Sequence, residues 1–226
     1  MISEFKIFKH FSGIISHGVT NKMFGSFNDD EKSFETSIKK LMDHFSVNRP
    51  VFANQMHSDG VMMLSERPDE KPEIDAFITN KKGLPLMIKV ADCQGIIMFD
   101  PETKTIAAVH SGWRGSAKNI IGKTIDKIKK EFGVKPANLL VGISPSLGPC
   151  CAEFSYPESE LPKFCRPFTK GKNVDFWALS LKQLSDEGVL VKNIENPRIC
   201  TKCGDDCYSY RRGESGRMAV FIDLKA

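Results

Sequence analysis

Three apolar runs follow one another in the middle of the chain, at residues 84–90, 95–99 and 105–109, separated by short polar breaks. Short apolar runs bounded by turn residues predict strands, and Asp100-Pro101 marks the turn between the second and third. Over residues 116–132 the period changes. Ala117, Ile121, Thr124, Ile125, Ile128 and Phe132 recur at three- and four-residue spacing, which places them on one helix face. Gly133 then ends the pattern, as a glycine just past a helix terminus does. Residues 139–143 predict a further strand. Asp175 stands where an N-cap would stand, ahead of a helix running to about residue 187 and closed by Gly188. Runs at 189–194 and 218–224 predict two more strands. Residues 66–73, ERPDEKPE, read as an exposed loop. So do residues 156–172, with Pro157, Pro162, Pro167 and Gly171. Neither is long enough to be a linker. Strands interleaved with helices predict one mixed α/β (α+β) domain over residues 1–226, with the strand order left open.

Composition narrows the class without changing it. Of 226 residues, 41% are hydrophobic and 27% charged, which supports a sizeable core and excludes disorder as the main state. The aliphatic run at residues 96–99 is far shorter than the ~20 residues a spanning helix needs. Glu4, Lys6 and Lys9 break any signal-peptide core near the start, so the expected location is the cytoplasm, without a membrane. The net charge is +4. Lys127, Lys129 and Lys130 have acids close by, and without a basic stripe and a docking motif no nucleic acid is expected as a partner.

Seven cysteines, an odd number in a chain with no export signal, read as reduced thiols, which raises the question of metal binding or chemistry. His57 follows the apolar pair Val51-Phe52 closely. Cys93 lies between two predicted strands, and His110 lies where a strand runs into Ser111-Gly112-Trp113-Arg114-Gly115. If these strand ends converge, two imidazoles and a thiolate form a three-ligand set suited to zinc, with a fourth position for water. The same residues also fit inert core positions, or a nucleophilic pair with Cys93 as thiolate and His110 as base. Arg114, beside the helix start at Gly115-Ser116, could hold an anion such as phosphate; alternatively the glycines serve a tight turn and Arg114 is a surface charge. Cys200, Cys203 and Cys207 form a CxxCxxxC array, with a fourth thiolate available from Cys150 or Cys151. Structural zinc, an iron–sulfur cluster and free thiols all fit it. Further on, Tyr208, Tyr210, Arg211, Arg212 and Arg217 could contact an anion, stack on a purine, or form an exposed edge.

Several segments together resemble one family. They are Gln55-Met56-His57, Ala91-Asp92-Cys93, His110-Ser111-Gly112-Trp113-Arg114-Gly115, and Gly148-Pro149-Cys150-Cys151-Ala152-Glu153-Phe154. Cys200-Thr201, Ser209-Tyr210-Arg211-Arg212 and Gly216-Arg217-Met218 complete the set. In this order and spacing, over roughly residues 12–224, they look like the laccase-domain family. That family was first called multicopper polyphenol oxidases and is now described as purine nucleoside phosphorylases with adenosine deaminase activity. The resemblance implies a single α/β domain with a large mixed sheet flanked by helices. It implies one mononuclear metal site on His57, Cys93 and His110, usually zinc, with copper as an alternative occupant. It implies phosphorolysis of adenosine, inosine, guanosine and methylthioadenosine, and hydrolytic deamination of adenosine. Asp92, Asp75 and Cys93 are then the catalytic candidates, and Gln55, Arg114, Ser116, Arg211 and Arg212 the candidates for holding substrate and phosphate. The expected partners are nucleosides and phosphate, and the expected state a monomer or homodimer. The chain departs from the family pattern at Gly95, often proline, at Ser111, often alanine, and at Asn21 after Thr20, often arginine. The other readings are a copper-dependent polyphenol oxidase, a Cys–His hydrolase and a non-enzymatic binding module.

Overall fold

A strand buried on both faces reads as a continuous apolar run rather than an alternation, and residues 218–224 are such a strand. In the computed structural model, which describes residues 2–28 and 32–225, two sheets are stacked. In chain order the strands are β1 (Ile2–Ser3), β2 (Ile15–Thr20), β3 (Val61–Met63), β4 (Ala76–Thr79), β5 (Leu86–Val90) and β6 (Gln94–Asp100). Then come β7 (Thr105–Ser111), β8 (Leu140–Ile143), β9 (Thr169–Lys170), β10 (Asn173–Val174), β11 (Ile194–Glu195) and β12 (Met218–Leu224). The helices are α1 (Phe34–Phe45), α2 (Trp113–Ala117), α3 (Ile120–Phe132), α4 (Pro157–Glu160) and α5 (Phe176–Asp186). One sheet has the order β11-β8-β6-β7-β4-β3, and the other β1-β2-β12-β5. The six-stranded sheet is mixed, parallel at its two edge pairs and antiparallel within. The four-stranded sheet is antiparallel throughout.

The period-2 geometry of strands assigns each apolar residue to a layer. In β6, Ile97 and Phe99 face the core between the sheets, with Ile88, Val220 and Ile222 from the other side. Ile96 and Met98 point the opposite way, onto Ile121, Ile125 and Ile128 of α3. On the outer face of the small sheet, Met87, Ala219 and Phe221 pack against Phe34, Ile38 and Leu41 of α1. The layers are therefore helix, four-stranded sheet, six-stranded sheet, helices. This is the expected α/β domain with a large mixed sheet and flanking helices, and a second sheet takes one face.

Three expectations need correction. The helix expected over 116–132 is two helices, α2 and α3. Between them Asn119 adopts a left-handed conformation (φ 55°), and its side chain accepts a hydrogen bond from the Gly122 N–H at 3.1 Å. Asparagine tolerates that conformation and caps well, so it restarts the helix at a new angle. The strand expected over 189–194 is mostly a 3-10 turn at Val191–Asn193, followed by the two-residue β11. The stretch 156–172, expected as a loop, contains α4, a 3-10 turn at Lys163–Phe168 and β9, while the remaining expected strands and the helix after Asp175 hold. Asp175 caps α5 by accepting from the Ala178 N–H at 2.9 Å, and β12 spans residues 218–224 as expected. No helix among the described residues is long and apolar enough to cross a membrane.

Candidate active site

Three chain crossings meet at one end of the sheets. β5 ends at Val90, and the turn 91–93 leads directly into β6. β7, paired to β6 with Gly95 opposite His110 and Gln94 opposite Ser111, ends at the same level. The segment 55–58, just before β3, lies across both. The turn holds Asp92 at φ 84°, and the crossing segment holds His57 at φ 55°. Such left-handed positions cost about 1–3 kcal/mol for a non-glycine residue and persist where surrounding structure enforces them.

The result is a cluster of His57, Cys93 and His110, with donor atoms all within 4.8 Å of one another. Cys93 Sγ lies 3.9 Å from His57 Nε2. His110 is buried, Cys93 half-buried and His57 exposed, so the cluster has a closed back and an open front. The back is Asp75, with no exposed surface. Its carboxylate lies 2.7 Å from His110 Nδ1. It also accepts the backbone N–H groups of Met56, His57 and Ser58 and the Ser58 hydroxyl. Holding Nδ1 leaves Nε2 as the ring nitrogen available to the cluster, the usual arrangement behind a metal-ligating histidine. Gly112 makes room in front. A Cβ there would lie 3.0 Å from both Cys93 Sγ and His57 Cδ2.

The electrostatics follow from this packing. Burial pushes the Cys93 thiol up, but His110 and His57 outweigh it and bring the group down to about 6. Burial also works against a charged His110, and the Cys93 thiolate and Asp75 reverse that, lifting it to about 9. Burial would likewise raise Asp75, yet the hydrogen bonds from His110 and Ser58 hold it below the usual carboxylate range. A deprotonated thiolate between two imidazoles, backed by a carboxylate, is the donor chemistry of a three-ligand divalent-metal site with an open fourth position.

In front of the cluster opens a cavity of about 640 Å³, a volume suited to a small ligand. Its wall carries His57, Asp92, Cys93 and His110, and Gln55, Arg114 and Arg211 line it too. Tyr210 and Arg217, which the sequence offered for stacking and for anion contact, line it as well, whereas sequence reasoning missed the rest of its aromatic side, Trp113, Phe154 and Phe176, and the further cation Lys89. Lys89 carried a readable signal, because it is the single charge inside the apolar run of β5. Trp113, Phe154 and Phe176, scattered over residues 113–176, carried none.

The predicted residues take different places. Gln55 spends both ends of its amide on the backbone of Lys89, at 2.8 Å each, and so fixes the crossing segment to β5. Asp92 accepts from the Thr201 hydroxyl at 2.6 Å and from the Arg211 N–H at 2.7 Å, and thereby fastens the 200–212 segment to the cluster. Arg114 lies over the Trp113 ring, 4.2 Å from its centroid. Three candidates stand away from the cavity. Ser116 is buried, with its hydroxyl 3.0 Å from that of Ser111 and its carbonyl accepting from Gln183 Nε2 at 2.8 Å. Arg212 turns to the carbonyls of Thr201, Lys202, Gly204 and Cys207 and to Glu214, and stabilises a loop. Asp75 sits behind His110 and positions it. Cys207 is also apart from the other cysteines, in the core between the sheets.

Known proteins resemble the chain along nearly its whole length. A purine nucleoside phosphorylase of Clostridium acetobutylicum is 34% identical over 211 residues, covering 88% of this chain and 87% of that protein. One from Corynebacterium glutamicum is 33% identical and covers 92% and 90%. Among solved structures, the hypothetical protein YfiH of Bacillus licheniformis superposes with a TM-score of 0.84 at 24% identity, over 93% of each chain. YlmD of Geobacillus stearothermophilus gives 0.81 at 23% identity, over 94% and 92%. These two share the fold. Residues 11–225 match the model of the multi-copper polyphenol oxidoreductase laccase family, and with relatives this similar over this length the chain belongs to that family.

Proposed function

We propose that the protein is a metal-dependent purine nucleoside phosphorylase that also deaminates adenosine, with zinc on His57, Cys93 and His110. The observation that carries this reading is the combination in one cavity of a three-donor cluster, an aromatic side and a set of cations. Relatives named purine nucleoside phosphorylase support it.

A divalent metal held by these three residues supplies Lewis acidity and an activated water. The chain supplies the rest. Trp113, Phe154, Phe176 and Tyr210 offer π-faces for a purine. Arg114, stacked on Trp113 and thus held in place, offers its guanidinium to phosphate, and Arg211 adds a second cation on the same wall. In phosphorolysis a phosphate oxygen bonds to the sugar's anomeric carbon as the glycosidic C–N bond breaks. The electron pair passes to the purine, which takes up a proton. In deamination water adds to the purine carbon that bears the amino group, and ammonia leaves. Asp92 is the carboxylate on the cavity wall and so the candidate to carry the proton, while Asp75 keeps His110 oriented.

The donor inventory does not suit the copper-oxidase reading. Oxygen-reducing copper enzymes need several coppers and many histidines. Of the five histidines here, two form the cluster. His17 packs against Phe5 and Phe8, His44 against Phe24 and Phe45, and His10 sits at the end of a surface 3-10 turn. One observation favours a second reading. Cys93, His110 and Asp75 are also arranged as thiolate, base and orienting carboxylate, the constellation of a thiol hydrolase.

The test incubates the purified protein, its metal content recorded, with adenosine with and without phosphate, and separates the products by liquid chromatography. Adenine and ribose 1-phosphate should form only with phosphate, and inosine in either case. Untouched adenosine with the metal site filled would overturn the reading. Turnover that survives chelation and stops on alkylation of Cys93 would move the assignment to the hydrolase.

A further inference from the structure

Outside the cavity a second group of donors converges. Cys150 and Cys151 lie on the loop after β8, and Cys200 and Cys203 on the loop before β12, about fifty residues away. Their four sulfurs all lie within 4.8 Å of one another. Cys203 Sγ is 3.5 Å from both Cys150 Sγ and Cys151 Sγ. A disulfide needs about 2.05 Å, so these sulfurs stand at non-bonded distance. A tetrahedron of thiolates around zinc, with Zn–S near 2.3 Å, has sulfur–sulfur edges of about 3.8 Å. The two 3.5 Å spacings lie just below that value, and no pair is more than 4.8 Å apart. The backbone already holds the loops in register: the Ser146 N–H donates to the Ile199 carbonyl and the Thr201 N–H to the Ser146 carbonyl, both at 3.1 Å, and the Gly148 N–H reaches Cys200 Sγ at 3.3 Å.

We propose that Cys150, Cys151, Cys200 and Cys203 form a second metal site, a closed tetrathiolate that takes zinc and joins the two loops. Four protein ligands leave no open position, so the site is structural. Its place in the fold defines what it holds together. The first loop carries Leu147, Ala152 and Phe154 to the cavity, and the second carries Tyr210 and Arg211. The clamp thereby sets the distance between an aromatic and a cationic wall. Its existence does not depend on the nucleoside reading.

The test measures zinc per chain on protein prepared under reducing conditions with zinc present and excess metal removed. The wild type should hold two equivalents. Cys203→Ser and His57→Ala should each hold one, and the double variant none. Cobalt(II) added to metal-stripped His57→Ala protein should give the intense thiolate charge-transfer and visible bands of a tetrahedral four-sulfur site. Zinc should slow alkylation of four thiols in the same protein. These two measurements need no cysteine variant to fold. Equal metal in the wild type and a folded Cys203→Ser variant, a cobalt spectrum without four-sulfur character, or bound iron in place of zinc would overturn the proposal. A disulfide between Cys203 and Cys150 or Cys151 in freshly isolated protein would overturn it as well. Failure to turn over adenosine with both zinc ions present would leave this site standing and count against the function alone.

Discussion

The two sulfur-bearing clusters differ in nearly every respect that separates chemistry from scaffolding. The His57–Cys93–His110 group has three donors, two of them on strand ends, a buried carboxylate behind it, strained backbone at His57 and Asp92, and a cavity in front. The cysteine quartet has four donors, all on loops, and backbone hydrogen bonds across the gap rather than a carboxylate. Donor count alone would not separate them so clearly. What does is the support: an oriented imidazole and an open face on one side, a saturated shell on the other.

The largest way to break the contrast is His57→Ala. Loss of the open site should remove several kcal/mol of transition-state stabilisation, roughly a thousandfold in kcat/KM, while melting temperature changes little; full activity with one metal equivalent lost would show that the wrong cluster had been assigned to catalysis. Asp75→Asn should weaken metal binding at the open site about 10–100-fold, read by chelator competition, and leave the quartet's metal in place. Arg114→Ala should raise the KM for phosphate roughly tenfold or more, since a charge-assisted hydrogen bond contributes ~1.5–3 kcal/mol. Deamination should fall less, and equal losses in both activities would remove the phosphate role.

A pair of glycines sharpens the comparison. At Gly112 an added Cβ meets Cys93 Sγ and His57 Cδ2 at 3.0 Å, whereas at Gly148 it meets the Trp177 ring at 2.7 Å and Cys200 Cβ at 3.1 Å. Gly112→Ala should therefore lower affinity for the metal proposed at the open cluster, with little effect on folding. Gly148→Ala should cost about 1–3 kcal/mol of stability, measured by denaturant unfolding. Reversal of that pattern would contradict the division of roles.

The smallest expected effect concerns the shared framework. Burial pushes Asp223 in β12 up to about 6, and its Oδ1 has no hydrogen-bond partner. A raised carboxylate favours the folded state fully below its ordinary 3.8 and loses that contribution as pH rises through about 6. At pH 7 the protein thus carries a buried anion. The interval from 3.8 to about 6 corresponds to at most ~3 kcal/mol, and an amide's own unpaired groups take back the larger part. Asp223→Asn should gain about 1 kcal/mol at pH 7 and nothing at pH 4. His17 acts in the opposite sense: burial lowers it to about 4, so its contribution is present above about 6.5 and fades as pH falls through 4. A melting-temperature series over pH 4–7 on both forms checks the two signs.

The sequence revealed elements wherever one periodicity dominated. β5, β6, β7 and β12 stand out because both faces are buried, and α5 because Asp175 caps it. β2 was hidden because only Ile15 and Val19 of its six residues are aliphatic, the others being Ser16, His17, Gly18 and Thr20, although every residue in it is buried. Asn119 split an unbroken helical period through a backbone conformation that spacing does not reveal. The three metal-type donors were legible as residue types, and the family resemblance grouped them, but their convergence depends on the pairing of β6 with β7. Ser116 and Arg212 were misplaced for the same reason: whether a polar side chain faces a cavity or a neighbouring loop is decided by tertiary structure. The quartet was half visible. Cys200 and Cys203 belonged to it, and so did both Cys150 and Cys151, which the sequence offered as alternatives for a single place, while Cys207, equally suggestive in spacing, went to the core.

The position of β12 governs the order in which the protein can be assembled. It lies between β2 and β5, yet it is the last of the described strands. A chain emerging from the ribosome N-terminus first makes both neighbours long before the strand that separates them. Until residues 218–224 arrive, β2 and β5 present unpaired edges and apolar faces, the condition under which strands pair with the wrong partner. The loops that build the far wall of the cavity are also translated late. The two clusters differ in timing too: His57, Asp75, Cys93 and His110 are all translated by residue 110, in the first half of the chain, whereas the cysteine quartet waits for Cys203.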